Sequence, residues 1–138
     1  MSVLKATSWG RTRGPKTLVG VQGAEVDVVV VSSLDAVTDG YSTENQRYLH
    51  VMLVDKNVST ALTVTLYGYN HAFGKWAPLN AVGTSTALEI TVADSGTAEG
   101  SQTAANRELM TFEIVGVDRV AFVGTTADVR CYAACSTF

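Results

Sequence analysis

Apolar and polar residues alternate along much of the chain with a period of two, which is typical of β-strands. The clearest example is residues 62–69, where Leu62, Val64 and Leu66 share one side and threonines and tyrosines share the other. Because successive side chains of a strand point to opposite faces of a sheet, the leucine and valine side is expected to face a core.

The same alternation recurs often enough to predict about eight or nine short strands and no amphipathic helix, apart from one helical turn within residues 101–110. The predicted strands are residues 17–22, 26–34, 46–55, 62–69, 75–79, 87–93, 108–115, 119–124 and 128–136. In two of them the residues expected to face inward are Leu88, Ile90 and Val92, and Met110, Phe112 and Ile114. In two others the apolar residues that share one face are Val26, Val28 and Val30, and Leu49, Val51 and Leu53.

Strands separated by Gly, Asp and Asn turns predict an all-β fold, a single antiparallel β-sandwich or jelly-roll domain. We expect this domain to cover residues 25–138 and to follow an extended N-terminal arm, residues 1–24. The arm contains basic residues and glycines and has no acidic residue. Trp9 favours an arm that docks onto a partner, because an exposed tail gains nothing from an indole.

Composition restricts the possible classes of protein. Of 138 residues, 46% are hydrophobic and 17% charged, which argues against a disordered chain. The net charge of −3 does not favour nucleic acid or an anionic membrane as a partner. Four basic residues, from Lys5 to Lys16, interrupt the beginning of the chain, so no secretory signal is expected. No apolar run approaches the roughly 20 residues of a membrane span.

The two cysteines, Cys131 and Cys135, lie four residues apart in a predicted strand. At about 3.3 Å per residue they would be roughly 13 Å apart on one face, beyond the roughly 7 Å limit for a disulfide. We interpret them as small buried residues with free thiols, which suits a protein made in a reducing cytoplasm. Neither belongs to a Cys-x-x-Cys motif of the kind that binds metal.

Sequence motifs for catalysis are missing: there is no G-x-S-x-G, H-E-x-x-H, P-loop or dinucleotide fingerprint. The two histidines, His50 and His71, have no second histidine or carboxylate at ligand spacing. We therefore expect a protein that is not an enzyme and that uses no cofactor or metal.

Binding residues are expected in two places. In the arm, Trp9 and the basic residues Arg11, Arg13 and Lys16 are candidates for contact with a partner. Several predicted strands have a second face that is not plainly polar. The residues on these faces are candidates for self-association: Tyr48, His50, Tyr67, Tyr69 and Trp76. Aromatic residues are enriched at protein interfaces, but Thr and Tyr also suit a solvated strand face, and aromatics also stack on sugars.

Three segments, RYLHVMLVD, TVTLYGYNHAFGKWAPL and IVGVDRVAFVG, resemble those of small tailed-phage virion proteins, with the head decoration (cement) proteins as the nearest class. The resemblance spans about residues 45–125. It implies a structural protein of the capsid surface, synthesised in the host cytoplasm, usually trimeric, that clamps major capsid subunits from outside. A tail, neck or fibre component and a carbohydrate-binding β-sandwich are the alternatives.

Overall fold

A computed structural model describes residues 17–19, 23–29, 34, 39–56, 61–81, 83–124 and 129–137. Its strands are β1 (Ala24–Val26), β2 (Val28–Val29), β3 (Tyr41–Ser42), β4 (Tyr48–Asp55), β5 (Leu62–Asn70), β6 (Lys75–Pro78), β7 (Glu89–Val92), β8 (Arg107–Glu113), β9 (Arg119–Gly124) and β10 (Val129–Ser136). The helices in these ranges are the 3₁₀ turns Glu99–Ser101 and Ala104–Asn106, and neither is long enough to cross a membrane. The predicted all-β class is confirmed.

The strands form two sheets. One is four-stranded, with the antiparallel order β1-β10-β4-β8. The other is six-stranded, with the order β2-β9-β5-β6, and in it β3 also pairs with β9 and β7 with β5. The pairing of β2 with β9 is parallel, so this second sheet is mixed rather than purely antiparallel as expected. Whether the strand order is that of a jelly roll or sandwich stays a prediction.

The chain changes sheets at Asp27, within the strand predicted for residues 26–34. Val26 pairs with Cys131 in the four-stranded sheet, and Val28 pairs with Phe122 in the six-stranded sheet. The Asp27 N–H donates to the Tyr41 hydroxyl at 2.8 Å. The chain thus passes directly from one sheet to the other within residues 26–28.

Both sheets contribute buried side chains to one hydrophobic core. The predicted inward sides of β4 and β5 are confirmed, since Leu49, Val51, Leu53, Leu62, Val64 and Leu66 are all at most 1% exposed. The prediction for Met110 is wrong. It pairs with Val51 and so has the inward parity, but its side chain is 40% exposed because β8 is the edge strand of its sheet.

The pairing of β10 with β4 sets small residues against large ones in the core. The opposed pairs are Cys131 with Leu53, Ala133 with Val51, and Cys135 with Leu49. Both thiols are free and buried, as expected from the sequence. Burial raises the pKa of each thiol to about 12, because a thiolate is poorly solvated in an apolar surrounding.

Residues 17–19 connect the two sheets before β1 begins. The Leu18 N–H donates to the Ser42 carbonyl at 3.0 Å, and the Leu18 carbonyl accepts from the Cys135 N–H at 3.2 Å. The Leu18 side chain is buried in the core. The end of the segment that the sequence analysis assigned to the arm thus takes part in the fold, and residues 1–16 lie outside the described residues.

Changing Leu66→Asp should abolish folding, because an unpaired buried charge costs several kcal/mol, comparable with the ~5–15 kcal/mol stability of a whole domain. Phe73→Asp is the matched control, since Phe73 is 78% exposed in the turn between β5 and β6. It should leave the thermal unfolding curve nearly unchanged. Circular dichroism melts of the two variants test this, and an unaltered melt for Leu66→Asp would contradict the inward side of β5.

At pH 8, iodoacetamide should leave Cys131 and Cys135 unlabelled in the native protein and should label both in guanidinium. The raised pKa keeps the native thiols protonated. Below the ordinary thiol pKa of 9.0 the buried thiols do not make stability depend on pH. As the pH rises from 9.0 towards about 12, the unfolded chain loses these protons more readily than the native protein, so the free energy of unfolding falls. Intact-mass spectrometry measures the labelling. Rapid double labelling of the native protein, or a mass lower by two hydrogens, would show that the thiols are not buried and free.

Candidate functional site

The four-stranded sheet carries an apolar row on its outer face, the side turned away from the core. Register places Leu109 of β8, Met52 of β4 and Tyr132 of β10 beside one another in a single row across the sheet. In the next row Ala134 lies beside His50. The Leu109 side chain is 70% exposed. A sheet face that is in contact only with water is usually polar. This apolar row therefore differs from an ordinary solvated face.

An open cleft of about 390 Å³ lies over this row. Its lining includes Gly23, His50, Met52, Leu109, Tyr132 and Ala134. These residues come from β4, β8 and β10, except Gly23, which immediately precedes β1. Contiguous apolar surface with a polar rim is characteristic of an interaction site on a soluble protein. We call this feature the outer cleft.

His50 forms part of the wall of the outer cleft, and its ring is fixed by neighbours on both sides. Its Nδ1 lies 2.9 Å from the Thr111 hydroxyl and its Nε2 lies 2.7 Å from the Ser136 hydroxyl. A hydroxyl can donate or accept, so either tautomer of the imidazole is satisfied. Both ring nitrogens are engaged within the sheet, which gives His50 a structural role in this conformation.

Ion pairs lie on the same sheet, on both sides of the residues that line the outer cleft. Beside Tyr132, the Arg130 guanidinium contacts Glu25 at 2.8 Å and Glu99 at 2.6 Å. The hydrogen bond with Glu99 raises the pKa of Arg130 and lowers the pKa of Glu99. At the other end of β4, Arg47 contacts Glu113 at 2.8 Å. An apolar floor with a polar rim is the usual anatomy of a protein interface.

The remaining aromatic candidates lie on the six-stranded sheet and mostly pack against each other. The Tyr69 and Trp76 rings are 5.5 Å apart, and Tyr69 is only 8% exposed. The Trp76 ring also covers Gly40, where an added Cβ would come within 2.8 Å of it. The buried Arg119 holds the same loop by donating to the carbonyls of Asp39 and Gly40. Tyr69 therefore serves packing, whereas Tyr67 remains half-exposed on the same sheet.

The predicted self-association set is thus divided between two sheets. Tyr48 and His50 lie on the four-stranded sheet, whereas Tyr67, Tyr69 and Trp76 lie on the six-stranded sheet. The predicted partner-binding residues Trp9, Arg11, Arg13 and Lys16 lie outside the described residues.

Leu109 is a residue of the outer cleft that the sequence analysis did not single out. A usable signal was present, because the alternation that turns Phe112 inward also turns Leu109 outward. Predicting its neighbours across the sheet requires the register between strands, and the alternation within one strand does not give that register.

Gly40→Ala should destabilise the protein by about 2–4 kcal/mol. Gly40 has φ of +68°, which costs a residue with a Cβ about 1–2 kcal/mol, and the new methyl would lie 2.5 Å from the Val120 carbonyl oxygen. Gly83→Ala is the matched control, since φ is +75° and no atom lies within 4 Å of its added Cβ. Urea unfolding compares the two, and equal losses would show that the contact at Gly40 is not tight.

Groups for metal binding do not converge in the part of the chain that the structure describes, where no three His, Cys, Asp or Glu side chains could hold an ion together. Comparisons with protein-family models, with curated proteins and with solved structures found no match.

Proposed function

We propose that the chain is a non-enzymatic structural protein that self-associates through the outer face of its four-stranded sheet. The observation that supports this most directly is the row of Leu109, Met52 and Tyr132 across three strands. Covering a side chain the size of Leu109 is worth about 1.5–3 kcal/mol. Met52 and Tyr132, which are half-exposed, extend this apolar centre across the sheet.

The edge of the same sheet also favours a partner. Among the described strands β8 pairs only with β4, so its other side is an edge. This edge strand carries Leu109, 70% exposed, and Met110, 40% exposed. Long edge strands with exposed apolar residues promote association with another chain unless they are covered. A second copy that covers the outer face next to β8 would remove the exposure of Leu109.

The setting that we propose is the outside of a tailed-phage capsid, where the protein would act as a trimeric decoration protein bound to the major capsid protein or another virion protein. Its support is the resemblance of the three sequence segments. One of them, RYLHVMLVD, includes all of β4 and thus Met52 in the outer cleft. A tail, neck or fibre component would associate through the same surface.

Leu109→Glu should weaken self-association at least about tenfold, because a carboxylate would replace an apolar group at the centre of the interface. Phe73→Glu is the matched control: Phe73 is 78% exposed in the turn between β5 and β6, away from the outer cleft. Light scattering after size-exclusion chromatography, over a range of protein concentrations, measures the oligomer. Co-sedimentation with assembled phage shells measures attachment, which should follow the oligomer.

A wild-type protein that stays monomeric at every concentration would contradict the proposed function, and so would equal weakening by both variants. Binding of a glycan by that monomer, with loss of binding in Tyr132→Ala, would support the carbohydrate-binding alternative instead.

A further inference from the structure

We propose that the outer cleft is the docking site for residues 1–16 of a second copy of the chain, with Trp9 inserted over Met52 and Tyr132. This inference rests on the proposed self-association and adds to it the identity of the occupant. Three features of the molecule support it: the separation of charge along the chain, the place where the described fold begins, and the pattern of side chains within the segment.

Charge is strongly separated between the segment and the rest of the chain. Residues 1–16 contain four basic residues, Lys5, Arg11, Arg13 and Lys16, and no acidic residue. Because the net charge of the whole chain is −3, residues 17–138 carry a net charge of −7. Opposite charges of this size steer one part of a molecule towards another and disfavour contact between like parts.

The fold begins close to the sheet that carries the outer cleft. Leu18 is hydrogen-bonded to Cys135 of β10, the strand that contributes Tyr132 and Ala134 to the cleft. Sixteen extended residues reach at most about 55 Å. A domain of about 120 residues has a radius of gyration of only about 14 Å. A segment of this length is therefore long enough to reach a neighbouring copy.

In an extended conformation the segment has one binding side. Trp9, Arg11 and Arg13 are two residues apart and would point the same way, whereas Gly10, Thr12 and Gly14 would point the other way. An indole on this side fits the outer cleft, where it would meet a methionine and a tyrosine, both favourable partners for an aromatic ring.

The arginines that follow Trp9 would then lie at the rim, about 7 and 13 Å further along. At the corner beside Tyr132 two carboxylates, Glu25 and Glu99, share the single guanidinium of Arg130. Lys56 also acts on Glu99, so these four charges sum to zero, and an arginine from a neighbouring copy would compete with Arg130 for the two carboxylates.

Photocrosslinking from position 9 of the full-length protein tests the docking. p-Benzoylphenylalanine replaces Trp9, and after irradiation the product is sized by denaturing electrophoresis and mapped by mass spectrometry. We expect a product of two chains, joined at peptides that contain Met52, Leu109 or Tyr132. The same photoreactive residue in place of Phe73 is the control and should not label these peptides.

Charge reversal provides a second readout. Arg11→Glu, introduced into the photoreactive protein, should lower the yield of the two-chain product about fivefold at low salt. Lys75→Glu makes the same change of charge on the six-stranded sheet and should leave the yield unchanged. Added salt should reduce the yield for the protein without these reversals more than for Arg11→Glu, because screening removes attraction in the first and repulsion in the second.

A crosslink within one chain, a crosslink to other peptides, or no crosslink would each overturn the docking of a neighbour's segment. If any of these accompanies an oligomer that depends on Leu109, the proposed self-association stands and only the identity of the occupant is wrong. If the protein is monomeric at every concentration, both proposals are wrong.

Discussion

The structure depends above all on the register between β4 and β10, which pair along eight residues from Tyr48–Ser136 to Asp55–Val129. Side chains alternate between the two faces of a sheet, so a slip of one residue would turn every inward side chain outward. The register sets the small Cys131, Ala133 and Cys135 against larger residues in the core. It also fixes which residues meet on the outer face.

The two faces of this pairing have different consequences. Inward, the four-stranded sheet packs against a core to which the six-stranded sheet also contributes. Outward, the same register places Met52 beside Tyr132, and β8 adds Leu109 to the row. In the described chain no second layer covers this row, since Leu109 remains 70% exposed. The fold itself therefore creates the surface on which the proposed function depends.

Much of the fold could be predicted from the sequence because alternation is a local property. It located β9 at residues 119–124 and identified the inward sides of β4 and β5. Alternation does not show which strands pair with one another. The change of sheet at Asp27 and the edge position of β8 were therefore not predictable. The outer cleft depends on the same missing information, as its lining residues become neighbours only when β4, β8 and β10 are in register. Strand pairing also decides which aromatic residues share a sheet. The five predicted self-association residues were therefore grouped together from the sequence, although they lie on two different sheets.

Hydroxyl-radical footprinting across a range of protein concentrations tests directly whether a second copy covers the outer face. We predict that oxidation of Met52 and Tyr132 falls as the concentration rises through the range where the oligomer forms. Oxidation of Phe73, which is exposed and lies away from the outer cleft, should stay constant. Oxidation of Met52 and Tyr132 that is unchanged while the oligomer forms would contradict the account, because association would then use another surface.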